Sequence, residues 1–252
     1  MSKPVRLSTA CGACRSGVPA PPLSMAFQPI VDAVLDRVFA YEALVRGPNG
    51  EPAASVLSQV DDTNRYVFDQ ACRVTAVEMA SRLGMREHLS INFLPNAVYE
   101  PHRCLQTTLA AAKSNNFPVE RILFEVSESE SSRDVSHLKQ IFEEYRRQGF
   151  ATAIDDFGAG HSGLNLLADF QPDFVKLDMQ LIRGIDADRP RQVIVRHIMA
   201  MCLELGITAI AEGIETREEY LALGDQGVVL FQGFYFARPA FESLPHWRLA
   251  VA

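Results

Sequence analysis

The sequence is short of cysteine, tryptophan and positive charge, and it carries no long apolar run. Its five cysteines are an odd number spread over 252 residues, which argues against a disulfide framework and for reduced thiols. Cys72, Cys104 and Cys202 fall in helix-like segments and read as small core residues. Cys11 and Cys14 form a lone C-x-x-C, and neither a second pair nor a nearby histidine completes the four ligands that a zinc ion wants. The apolar run Gln226–Ala237 is uncharged but holds 12 residues, where a membrane-spanning helix needs roughly 20. No apolar h-region follows Lys3 and Arg6. The expected location is therefore cytoplasmic, with no membrane partner. Lys and Arg total 24 against 31 Asp and Glu, a net charge of −7. A chain this acidic is not expected to coat duplex nucleic acid, which relies on many phosphate–cation contacts. A compact phosphate ligand remains compatible if metal ions supply the missing positive charge. There is no internal repeat and no low-complexity block.

What is present is an alternation of strand-like and helix-like segments. Residues 1–24 are rich in Pro, Gly, Ser and Cys and read as a flexible leader carrying the C-x-x-C, with residues 25–252 as one domain. A zinc or redox bridge between two chains through Cys11 and Cys14 is the alternative. The strand-like runs are Met25–Ile30, Val38–Val45, Leu89–Phe93, Ile122–Val126, Ala151–Ile154, Phe174–Leu177, Thr208–Ala211 and Val228–Phe231. Helical spacing marks Phe68–Leu83, Cys104–Lys113, Val135–Gln148 and Gln192–Leu205. Continuous apolar strands alternating with helices imply a largely parallel sheet covered by helices. The number of strands over this length predicts an α/β fold, a modified (β/α)8 TIM-like barrel. An open doubly wound sheet is the competitor, but no G-x-G-x-x-G follows the first strand. The link between the first two runs is too short for a crossover helix and predicts an antiparallel strand near the start.

Polar residues recur at or just past the C-terminal ends of these runs: Glu42, Asn92, Glu125 with Glu128, Asp155 with Asp156, Lys176 with Asp178, Glu212 with Glu215, and Gln232. A β/α barrel gathers its strand C-termini on one face, where active sites are built. Taken singly, Asp178, Glu215 and Glu128 read better as helix caps or solvated loop carboxylates than as site residues. The ordered set is harder to dismiss, because Glu42, Glu125, Asp155, Asp156 and Glu212 would share one pocket with a single Lys176. Like charges that close need counter-charge. Oxygen ligands suit magnesium or manganese, and two such ions form a clamp for in-line attack at a phosphodiester. The spacing reaches metal-assisted hydrolysis or transfer at a phosphate ester, and stops there.

The motifs themselves go further. Phe27-Gln28-Pro29-Ile30, Tyr41-Glu42-Ala43-Leu44-Val45-Arg46-Gly47, Asn92, Glu125-Val126-Ser127-Glu128 and Ile154-Asp155-Asp156-Phe157-Gly158 resemble the EAL-domain signature series. Val175-Lys176-Leu177-Asp178, Ala211-Glu212-Gly213-Ile214-Glu215-Thr216 and Gln232-Gly233-Phe234 continue it, so the resemblance spans residues 25 to 240. It implies a cyclic di-GMP phosphodiesterase producing linear pGpG, or a non-catalytic member that binds the dinucleotide or a protein. It also implies roles. Glu42, Asn92, Glu125, Asp155, Asp156 and Glu212 would hold two Mg2+ or Mn2+ ions, with Asp155 shared and Ca2+ inhibitory. Lys176 would position the attacking water, Glu212 would help activate it, and Gln232 would order the surrounding waters. Gln28, Leu44 and Arg46 would contact substrate. Glu128 would anchor the loop after Asp156, which supports homodimer contacts, and a sensor or regulator protein would act in trans.

The sequence also departs from the family pattern. The loop usually written DFGTGYSSL reads Asp156-Phe157-Gly158-Ala159-Gly160-His161-Ser162-Gly163-Leu164. Val229 replaces the usual Asp three residues before Gln232. The abbreviated segment Gly47–Val60 resembles EAL domains that follow blue-light sensor domains. None of the expected metal ligands is lost.

Overall fold

The computed structural model describes residues 18–128, 135–160 and 163–247. The expectation placed on Cys11 and Cys14, and the departure at His161, lie outside the described residues. Nine strands are described: β1 (Ser24–Asp32), β2 (Arg37–Arg46), β3 (His88–Asn92), β4 (Ile122–Ser127), β5 (Ala151–Phe157), β6 (Phe174–Leu177), β7 (Thr208–Ala211), β8 (Leu230–Gln232) and β9 (Ala240–Phe241). Among the described residues the α-helices are α1 (Ala53–Leu57), α2 (Arg65–Arg82), α3 (Pro101–Ser114), α4 (Val135–Arg147), α5 (Gly163–Asp169), α6 (Met179–Ile182), α7 (Arg189–Leu205) and α8 (Arg217–Gly224).

β2 to β8 pair in chain order and in parallel, and β1 closes the ring by pairing antiparallel with both β2 and β8. This is the barrel that the strand–helix alternation predicts, with the early antiparallel strand in place. The tight turn after β1 forms because Asp32 Oδ1 accepts from Val34 N and Leu35 N, at 3.0 and 2.9 Å, and Asp36 takes a left-handed φ of 50°.

The helices form where local signals and an apolar stripe agree. In α4, Leu138, Ile141, Phe142 and Tyr145 are buried, the i, i+3, i+4, i+7 stripe of a helix lying on a sheet. At the start of α8, Thr216 and Glu219 make a reciprocal capping box. α7 begins on Asp188, whose side chain accepts from Arg191 N, and stops at Gly206 in the left-handed region. Cys104 and Cys202 are buried and Cys72 half-buried, as expected of packing residues.

Strand alternation decides what faces the barrel axis. Register pairs Gln28 with Glu42, Asn92 with Glu125, and Ile30 with both Ala40 and Gln232. One pleat deeper lie Ile30, Ala40, Ile210 and Leu230, a small apolar cluster of their own with Phe39 and Phe174 packed against it. That cluster floors the barrel and leaves the polar layer above it open at one end.

Candidate active site

Glu42, Asn92, Glu125, Asp155, Lys176, Glu212 and Gln232 are brought together as the sequence predicts. Glu42 corrects one detail, because it sits in the middle of β2 and not at its end. The reason is that β2 runs on past the barrel rim, paired with β1 as far as Ser24 opposite Arg46. Asp155 and Asp156 likewise lie within β5, which extends three residues beyond the expected run.

Consecutive strand residues normally point to opposite faces, so a neighbouring pair of aspartates should not serve one site. A bulge resolves this. The β5–β6 register shifts between Ile154 and Phe157, and Asp156 adopts φ 56°, in the left-handed region. Both carboxylates then turn toward Glu212, and the three offer oxygens within 4.8 Å of one another. Glu42, Glu125 and Asp155 form a second such group. Asp155 belongs to both.

Lys176 is the cation at the centre. Its Nζ lies 2.6 Å from Glu212 Oε1, 2.7 Å from Glu125 Oε2, 3.2 Å from Asp155 Oδ1 and 3.6 Å from Glu42 Oε2. The side chain is 1% exposed, and the carboxylates around it outweigh its desolvation and hold its pKa well above the ordinary value. Burial pushes the Glu125 carboxyl up to about 8, against the pull of Lys176. Glu212 is raised too, by burial and then by Asp155, and Asp156 is raised by the same two causes. Glu42 accepts from Asn92 Nδ2 and from Gln232 Nε2, both at 2.8 Å. Gln28 Nε2 donates to Ala237 O at 3.1 Å, and its Oε1 lies 3.4 Å from Gln232 Nε2.

Gln28, Glu42, Asp155, Asp156, Lys176, Glu212 and Gln232 open into a cavity of about 290 Å³ lined also by Asp178, Met179, Glu215 and Phe234, with Asn92 and Glu125 outside its lining. Asp178 caps α6 by accepting from Gln180 N and also walls the cavity, while Glu215 pairs with Arg183 at 3.0 Å. Leu44 and Arg46 share the face of Glu42 further along β2, outside the cavity lining, and Arg46 Nη1 donates to Val45 O at 2.8 Å. Glu128 is 2% exposed and accepts from Gly158 N at 3.0 Å, Gly163 N at 2.8 Å and Gly160 N at 3.4 Å, so it ties down both ends of the loop after Asp156. Sequence reasoning assigned nothing to Ser90, which donates to Glu125 Oε1, or to Ser127, which donates to Asp156 Oδ2 at 3.1 Å. A larger cavity, about 780 Å³, opens beside Arg37, Phe39, His88 and Trp247 near the N-terminal ends of β2 and β3. Its lining holds a single carboxylate, Glu87, and neither of the acid triads.

The donor set fits two hard divalent cations. It offers oxygen ligands in two overlapping triads. With all five carboxylates ionised beside the one lysine, four net negative charges remain, which two such cations would match.

A barrel whose strand ends gather this acid set defines the class. The chain matches the EAL domain family over residues 15–239 and belongs to it. It is similar to a standalone versatile EAL protein from Vibrio cholerae O395, solved in a c-di-GMP-bound form. The two are 55% identical with a TM-score of 0.87, over 90% of this chain and 95% of that one. It is similar to Klebsiella pneumoniae BlrP1, solved at pH 8.0 as a calcium/cy-diGMP complex, at 35% identity and a TM-score of 0.86. That match covers 91% of this chain and 59% of BlrP1. It is 34% identical over 221 residues to the blue light- and temperature-regulated antirepressor BluF of Escherichia coli K12, covering 87% of this chain and 55% of BluF. The expected likeness to blue-light-associated EAL domains therefore holds. The chain spans about half the length, or less, of the curated relatives it matches.

Proposed function

We propose that the chain is a metal-dependent phosphodiesterase that opens cyclic di-GMP to linear pGpG. The observation that carries this is the pair of carboxylate triads sharing Asp155 around a buried Lys176. Glu42, Asn92, Glu125, Asp155, Asp156 and Glu212 would hold two Mg2+ or Mn2+ ions. Bound there, the ions supply Lewis-acid polarisation of the phosphodiester and a lowered pKa for water. The protein's own groups divide the rest. Lys176 stays protonated and acts as a fixed donor and positive charge, never as a base. Glu212, whose raised pKa favours taking up a proton, accepts the proton of the attacking water. Gln232 and Asn92 hold Glu42 in place through its two oxygens. Gln28 and the exposed Phe234 offer the nucleotide an amide and a ring at the cavity wall, and Leu44 and Arg46 extend the contact along β2. The similar structures from V. cholerae and K. pneumoniae are complexes with the same dinucleotide, which supports this choice of substrate.

The same proposal includes a homodimer formed through the loop that Glu128 anchors, a regulator acting in trans, and a cytoplasmic location. Among the described residues no helix is long and apolar enough to cross a membrane. BluF is named an antirepressor, which favours a second reading, a non-catalytic regulatory module. One paired measurement separates them: calorimetric binding of cyclic di-GMP in Ca2+, and release of pGpG in Mn2+ or Mg2+. The phosphodiesterase binds in Ca2+ with little turnover and releases pGpG in the other two, and Asp155→Asn abolishes release. Binding without release in any metal hands the case to the nucleotide-binding module. Neither binding nor release leaves only a protein-binding one.

A further inference from the structure

Moving down the barrel by one pleat beneath each site residue gives Ile30 under Gln28, Ala40 under Glu42, Leu123 under Glu125 and Ala153 under Asp155. Continuing, Phe174 lies under Lys176, Ile210 under Glu212 and Leu230 under Gln232. Every one of these is apolar, as a barrel floor should be. Under Asn92 the same step gives Ser90, the one polar residue among these eight described positions and fully buried. A hydroxyl sealed into an apolar layer needs a partner. Ser90 finds one above it, donating to Glu125 Oε1, while Glu125 Oε2 receives Lys176. The two oxygens of a carboxylate with no solvent exposure are thus fixed by two donors from two different strands.

We infer that Ser90 is a positioning residue for metal binding: its hydroxyl sets the rotation of the Glu125 carboxylate and so the affinity of the Glu42–Glu125–Asp155 triad. The inference rests on the metal reading above and assigns that reading one more residue. Groups that orient metal ligands by hydrogen bonding typically alter affinity by roughly ten- to a hundred-fold when removed. Ser90→Ala deletes a single oxygen, leaves Glu125 Oε1 without its donor and opens almost no cavity. Ser90→Thr keeps the hydroxyl on a β-branched side chain suited to a strand.

The test is calorimetric titration of apo protein with Mn2+ alone, with no nucleotide present, on the parent, Ser90→Ala and Ser90→Thr, with melting in EDTA alongside. The parent should show two binding events. In Ser90→Ala one event should weaken by about ten-fold or more, with the Asp155–Asp156–Glu212 event within about two-fold of the parent. Ser90→Thr should recover most of the loss. Parent-like affinity in Ser90→Ala overturns the inference. Equal weakening in Ala and Thr variants points to packing and overturns it, as does a parallel loss at both events with a lowered EDTA melting point. A parent that binds no Mn2+ sinks the metal reading itself, and this inference with it.

Discussion

Replacing Lys176 by Met keeps most of the side chain's length and removes its charge, which isolates the electrostatic part of its contribution. Four carboxylates would lose a cation lying 2.6 to 3.6 Å away, in a place where Lys176 is 1% and Glu125 0% exposed. Removing one partner of a buried ion pair costs roughly 3–5 kcal/mol, because the remaining charge is left uncompensated. The folded variant can recover part of this by binding a proton among the acids. Removing Lys176 also removes the pull that holds Glu125 down to about 8, so part of that recovery is already present at pH 8. Further uptake by the other raised acids adds up to about 1.4 kcal/mol per pH unit per proton as pH falls. The deficit should therefore be about 3–4 kcal/mol at pH 8 and smaller at pH 6. For a chain of this size each kcal/mol moves the melting point by about 2–4 °C, so the pH 8 drop in EDTA should be roughly 10 °C. Mn2+ should raise the variant more than the parent, since a metal ion at a hundred times its Kd adds about 2.7 kcal/mol and meets a less compensated site in the variant. Differential scanning calorimetry at pH 6 and pH 8, with EDTA and with Mn2+, reads all four quantities. A variant melting within 2 °C of the parent at pH 8, or an equal deficit at both pH values, refutes the claim that Lys176 balances the acid ring (the 2 °C threshold being about 0.5–1 kcal/mol).

Two further outcomes follow from the same geometry. In EDTA the parent's stability should fall between about pH 5.5 and pH 8. Glu125 is raised from the ordinary 4.5 to about 8 and Glu212 is also raised, so the folded state holds protons that the unfolded chain has released, and stability present below 4.5 is lost as pH rises through 8. Lys176 stays charged throughout that window and adds no slope. Saturating Mn2+ should flatten the profile, and a flat or rising EDTA curve contradicts it. Separately, a Cβ on Gly233 would overlap the backbone N and O of Ile214, the atoms that bond Gln232 O and Tyr235 N. Gly233→Ala should therefore lower stability by roughly 3 kcal/mol or more. Gly227→Ala, at φ 91° with open space around it, should cost only about 1–2 kcal/mol; denaturant melts of the two that agree within error would count against the clash.

The strands were legible because parallel barrel strands are buried on both faces, and runs such as Ile122–Val126 and Phe174–Leu177 stand out against their polar flanks. The helices that lie on the sheet were legible by period, as Val135–Arg147 is. The short α5 and α6 were not, because four- and seven-residue helices hold too few turns to show one. At the site, residue types were readable and their direction was not. Two adjacent aspartates alternate in any regular strand, and only the bulge with Asp156 in the left-handed region turns both inward. A carboxylate in mid-strand, as Glu42 is, looks like a solvated strand residue unless the neighbouring strands are known to continue beyond it.

Charge counting was blind in the same way, because it weighs every ionised residue alike. Lys176 contributes one of 24 positive charges to the composition, yet burial among four carboxylates makes it the counter-ion of the whole pocket. Asp69 and Arg73 cancel in that count, but they form a fully buried pair at 2.7 Å. The Arg73 guanidinium lies 5.1 Å from the Phe124 ring centroid and donates to Tyr145 Oη, while Asp69 accepts from Leu94 N at 3.0 Å. Leu94 is two residues beyond Asn92, so this pair inside α2 holds the start of the loop that carries an expected metal ligand. An i, i+4 acid–base pair on a helix reads in sequence as a solvated surface contact worth a few tenths of a kcal/mol. Its effect here comes from the aromatic residues that α4 and β4 pack around it, and those are brought together only by the closed barrel.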